Sequence, residues 1–324
     1  MRSVLIACCL FCAMVMGTPA FAEPRSGTIT WEKWTFDWEV YGNQSLALSD
    51  VTFDRELILS KASLPVIKVK YEREWPWYHP YSWFGIGRST GRCGPFQDRI
   101  AWRHLEPVPG CGDKVCTRSY TVDGVKWLEV GAYARIGEYH LYHAWYLSEL
   151  GEIRPVLQSR GLSCQTTHQH HPYWRLDFGI AGEGRDQVFV YTDGAPNEGW
   201  GPGWHKYTNE VNAVKDPPKH RSWFVRDSQN GHGVWVLPGD GYPPLMNDGE
   251  PQSGFSTRDV SVRRYHEEED TGWLFGARGD LGYLNGEGVQ EEVTTFWYTA
   301  HLPHHAAMGP AAWLAVGPVL KVQR

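Results

Sequence analysis

The sequence predicts an all-β protein built as a large antiparallel β-sandwich, and two observations lead to this prediction. The chain contains 17 Trp, 16 Tyr and 12 Phe, and its apolar runs are short and rich in β-branched and aromatic residues. Clusters of Gly, Pro, Asn and Asp separate these runs, while the periodicity of an amphipathic helix finds little support. Many short strands joined by turns are typical of a sandwich.

The first residues predict a leader that precedes this domain. Met1–Ala22 holds one Arg, then an apolar run, then an Ala20-Phe-Ala motif, which is the pattern of a cleaved secretory signal peptide. The apolar run Val4–Met16 is too short to span a bilayer, which needs about 20 apolar residues. We therefore expect a signal peptide over residues 1–22 and a single domain over residues 23–324, without a membrane span and located in the periplasm or secreted.

The predicted strands follow one another along the whole mature chain. Ile29–Trp34 and Phe36–Val40 alternate apolar and polar residues, so each is predicted as a half-buried strand. Further strands are predicted over Val66–Tyr71, Tyr120–Val130, Tyr139–Leu147, Gln187–Tyr191, His220–Val225, Gly233–Leu237, Thr294–His301 and Trp313–Val322. The Gly/Pro-rich stretches between them are predicted as loops, of which Gly239–Gly254 is the clearest.

Two histidines on one predicted strand form a candidate metal site. His168 and His170 lie two residues apart in an aromatic stretch. Side chains at i and i+2 of a strand point to one face, about 6.6 Å apart along the chain, so both imidazoles can reach one ion. Imidazole suits copper, zinc, iron and nickel, and such an ion needs three or four ligands. His301, at the end of an aromatic strand, is the predicted third ligand, whereas His304 and His305 could be exposed loop residues.

Charge and cysteine content narrow the function classes. The net charge of −6 is spread along the chain without a basic block, which disfavours nucleic-acid binding. Three of the seven cysteines leave with the signal peptide. The mature chain keeps an even number, which predicts one or two disulfides in an oxidising compartment. These are Cys93, Cys111, Cys116 and Cys164.

An ordered series of motifs runs along nearly the whole mature chain. It includes Gly85-Ile-Gly87 followed by Cys93, Val115-Cys116, the strand Ala134–Tyr139, His168-Gln-His170 with Arg175-Leu-Asp177, and His301-Leu-Pro303. In this order the motifs resemble the catalytic domain of copper amine oxidases, the topaquinone enzymes. The small N-terminal domains of that family have no counterpart in this sequence, and the gaps between the motifs are shorter.

The resemblance implies the large β-sandwich, or supersandwich, of that catalytic domain and a role for each matched residue. His168, His170 and His301 would hold copper(II). Tyr139 would be oxidised by that copper and O2 to topaquinone, and Tyr71 would hydrogen-bond the quinone ring. The quinone carbonyl would then take a primary amine, and aldehyde, ammonia and hydrogen peroxide would follow.

The resemblance also implies a disulfide and the reaction partners. It pairs Cys93 with Cys116, and it implies a small-molecule substrate of the primary-amine class together with O2. The sequence does not identify the amine. Members of the family are usually dimers, but the shortened chain leaves the oligomeric state open, a homodimer included.

The residues around the cofactor position depart from the family pattern. The family flanks its tyrosine as Asn-Tyr-Asp/Glu-Tyr, whereas Glu138 precedes and His140 and Leu141 follow Tyr139. The metal half of the site is thus retained while the organic half is altered. An unmodified Tyr139 beside copper, as a ligand or radical site, is a further outcome.

The general base of the family is also missing from its expected place. It is an Asp shortly before the glycine turn, a position that falls at or near Pro80. The nearest carboxylates, Glu72 and Glu74, lie in a differently spaced loop. Without a base, proton abstraction loses a factor of roughly 10²–10⁴ in rate.

Three function classes stay open. The first is an exported copper-dependent oxidase related to primary-amine oxidases, which the intact ligand trio favours. The second is a non-catalytic periplasmic copper-binding protein with a degenerate quinone site. The third is a carbohydrate- or ligand-binding β-sandwich, suggested by the loop Trp75–Trp83 and by Trp200 and Trp204.

Overall fold

A computed structural model describes most of the predicted domain. The described residues are 25–40, 42, 44–71, 96–163, 167–182, 184–194, 201–239, 259–267 and 284–324. Several sequence predictions lie outside them, namely those on the leader 1–22, Glu72, Glu74, Trp75–Trp83, Pro80, Gly85-Ile-Gly87, Cys93, Cys164 and Trp200.

The described residues form two large antiparallel sheets, so the predicted sandwich is confirmed. The first sheet has ten strands in the order β1-β2-β3-β4-β11-β18-β17-β14, with β5 beside β4 and β19 beside β11. These strands are β1 Ser26–Trp31, β2 Trp34–Val40, β3 Leu46–Phe53, β4 Glu56–Tyr71, β5 Phe96–Asp98, β11 His168–Phe178, β14 Val211–Ala213, β17 Val260–Arg264, β18 Thr294–Thr299 and β19 Leu302–His304.

The second sheet has eleven strands within the described residues, in the order β13-β12-β15-β16-β21-β10-β9-β8-β6, with β7 beside β8 and β20 beside β10. They are β6 Leu105–Glu106, β7 Val115–Val122, β8 Val125–Ile136, β9 Tyr139–Ser148, β10 Glu152–Arg160, β12 Asp186–Thr192, β13 Gly203–Lys206, β15 Ser222–Asp227, β16 Gly233–Leu237, β20 Leu314–Val316 and β21 Val319–Gln323. Short 3-10 turns lie at Trp102–His104, Pro217–Lys219 and Ala306–Met308. No helix in the described part of the chain is long and apolar enough to cross a membrane.

The predicted run Tyr120–Val130 is a hairpin rather than one strand. Asp123 and Gly124 both have positive φ, 50° and 79°, and they join β7 to β8. Positive φ at both central residues is the geometry that matches the twist of a two-residue hairpin turn, and Asp-Gly adopts it easily. The Asp-Gly pair lies within a run of strand-forming residues, so the sequence pattern indicated one continuous strand.

Two tryptophans fasten the sheets to each other across the core. Nε1 of Trp34, on β2, donates to the carbonyl of Ser148 on β9 at 2.7 Å. Nε1 of Trp145, on β9, donates to the carbonyl of Leu46 on β3 at 2.8 Å. Both indoles are fully buried, so each buries a large apolar surface and also satisfies its only polar atom. These bonds fix β9 against the first sheet near the start of the chain.

The structure corrects the predicted disulfide. Cys116 is bonded to Cys111, five residues earlier, and not to Cys93. The two cysteines lie on either side of the turn that leads into β7, where the backbone brings their Cα atoms within 6.1 Å. The resemblance implied a disulfide between Cys93 and Cys116 that would close a longer loop. In this chain the disulfide closes the shorter loop between Cys111 and Cys116.

Strand β11 is buried on both faces over its whole length. Its partners are β4 on one side and β18 with β19 on the other. Trp174, Leu176 and Phe178 point into the inter-sheet core, while Arg175 and Asp177 alternate to the outer face of the same sheet. Successive residues of β11 therefore serve two different buried environments.

The outer face of the first sheet contains a buried ion pair. Nε of Arg175 donates to both carboxylate oxygens of Asp177, at 2.9 and 3.0 Å. Thr295 on β18 donates to the same carboxylate at 2.7 Å. Asp177 is thus a structural partner of Arg175, and it ties β11 to β18 below the candidate metal site.

We predict that Asp177→Asn destabilises the protein far more than the same change at the surface. Removing one charge of a buried pair leaves the other uncompensated, so the free energy of unfolding should fall by about 3 kcal/mol or more. Asp54→Asn is the matched control, because Asp54 pairs with Arg324 at the exposed surface, and it should cost no more than about 1 kcal/mol. Chemical denaturation measures both, and equal losses would contradict the prediction.

Candidate metal centre

The register of β11 against β18 and β19 decides which histidines meet. Tyr173 lies opposite Thr299, His170 opposite Leu302 and His168 opposite His304, so the register is continuous from one strand to the next. Residues directly opposite in an antiparallel pair share a face. His304 therefore lies on the same face as His168 and His170, which is the face that looks toward the second sheet.

Tyr139 comes to the same place from the second sheet. It is the first residue of β9, and its hydroxyl oxygen lies 2.9 Å from Nε2 of His168. Nε2 of His168 lies 3.1 Å from Nε2 of His170. The four side chains of Tyr139, His168, His170 and His304, here called the Tyr–His cluster, are all buried.

The rings of the Tyr–His cluster pack directly on one another. His168 and His304 are stacked with an interplanar angle of 2° and centroids 5.2 Å apart. His304 lies 4.9 Å from His170, again between centroids. The ring of Tyr139 is 4.6 Å from that of His170 and 5.6 Å from that of His304, edge to face in both cases. The three imidazoles thus lie side by side.

The segment Gly161–Ser163 closes the cluster from the end of β10. The backbone N–H of Ser163 donates to the hydroxyl oxygen of Tyr139 at 2.9 Å. The backbone of Gly161 lies close enough to the His304 ring to act on the pKa of that imidazole, in the upward direction. Gly161 has φ +134°, and a Cβ there would lie 2.5 Å from the carbonyl of Glu138 and 2.8 Å from the Tyr139 ring. Only glycine lets this segment approach Tyr139 so closely.

Burial keeps His170 and His304 neutral. It lowers the pKa of His170 well below the usual value, and the neighbouring His304 and His168 lower it further. Burial likewise lowers the pKa of His304 to about 3, against a smaller opposing effect of the Gly161 backbone. Neutral imidazole is the form that offers a lone pair to a metal ion.

The donor atoms fit a metal ion in part. Two nitrogens bound to one ion at about 2.0–2.1 Å, with angles between square and tetrahedral, lie about 2.9–3.4 Å apart. The 3.1 Å between Nε2 of His168 and Nε2 of His170 falls in this range. Nε2 of His304 is buried, has no hydrogen-bond partner among the described residues, and belongs to a ring that packs against His168 and His170.

The cluster is not a closed metal site as it stands. Over the described residues, no group of three or more His, Cys, Asp or Glu side chains could hold a metal ion as they lie. Nε2 of His168 and Nε2 of His170 lie 3.1 Å apart, and the ring of His304 packs beside them. The fit to a metal ion therefore lies in the donor chemistry of three adjacent imidazoles and not in a completed coordination geometry.

His301, the predicted third ligand, lies on the opposite face of the sheet. Its Nδ1 is 2.7 Å from Nδ1 of His171, the residue directly across the register. Its Nε2 is 2.6 Å from a carboxylate oxygen of Asp259. His301 lies close to β11 in the register, as predicted, but successive residues of a strand point to opposite faces. Because His301 and His304 are three residues apart, they point to opposite faces of the sheet. The structure therefore does not bring His301 to the cluster.

Tyr71, predicted to bond the quinone ring, and two further histidines lie in three different places. The backbone of Tyr71, the last residue of β4, pairs directly opposite His168, so the strand position predicted to face the quinone is beside the cluster. His140 faces the outside of the second sheet, where its Nδ1 bonds the hydroxyl of Tyr133 at 2.5 Å. His143 is a core histidine, bonded to Ser45 at 2.8 Å, and burial lowers its pKa to about 3.

Comparison with known proteins places the fold. No protein-family model matches the sequence, and no curated protein does so either. Solved structures with the same fold include a copper-containing benzylamine oxidase from Hansenula polymorpha, with a TM-score of 0.67 and 14% sequence identity over 99% of this chain. An amine oxidase from Aspergillus nidulans gives a TM-score of 0.64 at 13% identity over 99% of this chain. Pichia pastoris lysyl oxidase gives 0.61 at 12% identity over the whole chain.

The likeness concerns the fold of one part of those proteins. This chain spans 63% of the length of the Hansenula enzyme, 55% of the Aspergillus enzyme and 56% of the Pichia enzyme. The resemblance stated from the motifs is thus matched by the architecture: the chain has the β-sandwich fold of copper amine oxidases in a shortened, divergent form.

We predict that Gly161→Ala disrupts the Tyr–His cluster. The methyl group would strike the Glu138 carbonyl and the Tyr139 ring, and the free energy of unfolding should fall by at least about 2 kcal/mol. Gly124→Ala is the control, since Gly124 also has positive φ but nothing lies within 4 Å of its added Cβ. That variant should lose only about 1 kcal/mol. Thermal and chemical denaturation of the two variants compare the losses, and a Gly161 variant no worse than the control would refute the close approach.

Proposed function

We propose that this protein is an exported copper-dependent oxidoreductase related to the primary-amine oxidases. The observation that carries the proposal is the Tyr–His cluster, in which three imidazoles and one phenol meet between the sheets of an amine oxidase fold. In this proposal His168, His170 and His304 hold the copper ion, and Tyr139 is the residue that is oxidised. The overall reaction converts a primary amine, O2 and water to an aldehyde, ammonia and hydrogen peroxide.

The chain prepares Tyr139 for contact with a metal ion in two ways. The Ser163 N–H donates to its hydroxyl oxygen, and this bond stabilises negative charge that develops there. The same oxygen lies at 2.9 Å from Nε2 of His168, a distance that ligands of one ion have from each other. Copper(II), when bound, would supply the oxidising power that opens the phenol ring to O2.

The burial of the cluster supports redox chemistry rather than simple metal transport. Tyr139 is 6% exposed, and His168, His170 and His304 are between 0 and 4% exposed. A site closed to water protects reactive species and strengthens the electrostatic interactions inside it.

A second candidate function is a copper-binding protein in which Tyr139 stays unmodified. The hydroxyl of Tyr139 is anchored by Ser163 and His168, and its ring is packed against Gly161. This arrangement favours a phenol that remains in place beside the metal. The lack of the Asn before Tyr139 and of an Asp at Pro80 supports the same reading.

Export and the reaction partners belong to the same proposal. The leader-like sequence of residues 1–22 and the Cys111–Cys116 disulfide both support the periplasm or the extracellular space, where disulfides persist. The substrate is a small primary amine with O2 as co-substrate. A homodimer fits the proposal but is not required by it.

We predict that His304→Ala and His301→Ala differ sharply in copper binding. Loss of a residue behind a metal ligand typically costs 10–100-fold in affinity, so loss of His304 itself should cost at least about a hundredfold. His301→Ala should keep the affinity within a few-fold, because His301 faces Asp259 and His171 instead. Isothermal titration with copper(II) and elemental analysis after dialysis measure affinity and stoichiometry. The wild-type chain should hold one copper ion.

The pair of variants also tests the ligand assignment. The reverse result, with copper lost in the His301 variant and kept in the His304 variant, would restore the ligand set predicted from the sequence. Equal retention in both variants would remove this cluster as the copper site. Circular dichroism confirms that each variant is folded.

The fate of Tyr139 separates the oxidase from the copper-binding protein. The metal-free protein is exposed to copper(II) and air, and its Tyr139 peptide is then analysed by mass spectrometry. Conversion to topaquinone adds two oxygen atoms and removes two hydrogen atoms, and Tyr139→Phe should prevent any change at this position. A copper-loaded protein whose Tyr139 peptide keeps its mass would exclude the quinone mechanism and favour the second candidate.

A further inference from the structure

A cavity lies on the outer face of the second sheet, away from the Tyr–His cluster. It has a volume of about 450 Å³ and lies over β12, β13, β15 and β16. This volume falls within the range of pockets that bind small molecules, about 300–1,000 Å³. The described residues that line it and carry the argument are Tyr191, Trp204, His220, Arg221, Ser222 and Trp235.

The wall of this cavity is a patch of aromatic rings set by strand register. Trp204 lies directly opposite Tyr191, and Phe224 directly opposite Trp235. The ring of Trp204 is 5.4 Å from that of Tyr191 and 5.1 Å from that of Trp235, between centroids. These contacts hold the indole in place, yet Trp204 is 48% exposed. The cavity thus offers a fixed aromatic surface that is open to solvent.

A polar network borders this aromatic wall. The hydroxyl of Tyr191 donates to one oxygen of Asp193 at 2.6 Å, and Nδ1 of His220 lies 2.5 Å from the other. Bonds from Tyr191 and then His220 lower the pKa of Asp193, so its carboxylate stays charged and accepts both protons. Because Nδ1 of His220 faces the Asp193 carboxylate, Nε2 is the ring nitrogen left for a ligand. Ser222 adds a hydroxyl to the same cavity.

The charges near the cavity are already engaged within the protein. Arg221 is 4% exposed and donates to the carbonyl of Val214 at 2.6 Å, and Asp193 accepts hydrogen bonds from Tyr191 and His220. The aromatic rings and neutral polar groups of the lining therefore favour a neutral ligand. A peptide strand would have to pair with the edge of the sheet, which is β13. This strand has only four residues, and short edge strands resist pairing.

From this combination we infer that the cavity binds a neutral saccharide. A pyranose ring has an apolar C–H face, which stacks on an exposed indole, and a rim of hydroxyl groups. In this site the C–H face lies on Trp204 and Trp235, and the hydroxyl groups bond Nε2 of His220 and the hydroxyl of Ser222. The protein would thus attach to polysaccharide independently of any chemistry at the Tyr–His cluster.

The test titrates the full chain with four tetrasaccharides, namely cellotetraose, xylotetraose, maltotetraose and N-acetylglucosamine tetramer. Tryptophan fluorescence and isothermal titration calorimetry follow binding. At least one probe should bind with a dissociation constant between about 1 μM and 1 mM. Trp204→Ala should weaken that binding at least tenfold, and His220→Ala, whose side chain is 76% exposed, should weaken it several-fold without affecting folding.

Trp313→Ala is the matched control. Trp313 is 42% exposed, similar to Trp204, but it contacts Arg160 instead of the cavity, so its removal should leave saccharide binding unchanged. Absence of binding by all four probes at about 10 mM, the weak end of measurable affinity, would overturn the inference. Equal binding by wild type and the Trp204 and His220 variants would also overturn it. No copper is added, so the result is independent of the proposed oxidase function.

Discussion

The candidate metal site depends on one constraint, the alternation of side chains along a strand that is buried on both faces. Every residue of β11 is buried, so a side chain that leaves the inter-sheet core enters another closed environment rather than solvent. His168 and His170 point inward, while His171 points outward to His301 and Asp259. A slip of one residue in register would exchange the two sets and destroy both.

The rest of the fold keeps this register and brings the second sheet to it. The Arg175–Asp177 pair and Thr295 hold β11 against β18, and the same register continues to His304 on β19. The indole bonds of Trp34 and Trp145 hold β9 against the first sheet, and Tyr139 begins that strand. The position of Tyr139 beside His168 therefore follows from contacts distributed over both sheets.

The fold class could be predicted from the sequence because its signal is repeated in every strand, whereas the site depended on single residues. The pair His168 and His170 is local, and the two-residue period of a strand suffices to place both on one face. The third histidine depends on which face of Thr294–Thr299 looks inward. That strand is buried on both faces, so its composition does not distinguish them, and the sequence alone favours His301, which follows the strand directly, over His304. No sequence pattern reveals the roles of Gly161 and Ser163, because they act through their backbone, which packs against Tyr139, a residue more than 20 positions earlier in the chain.

The energetics of the Tyr–His cluster argue that it exists to bind something. Burial drives the pKa of His170 and His304 far down, which means that the surroundings stabilise these rings poorly in their charged form. A buried polar atom without a partner costs about 1–3 kcal/mol, and Nε2 of His304 has none among the described residues. Leucine or phenylalanine would fill the same space between the sheets without this cost. A bound ion, as proposed above, would engage that nitrogen together with those of His168 and His170 and would remove this cost.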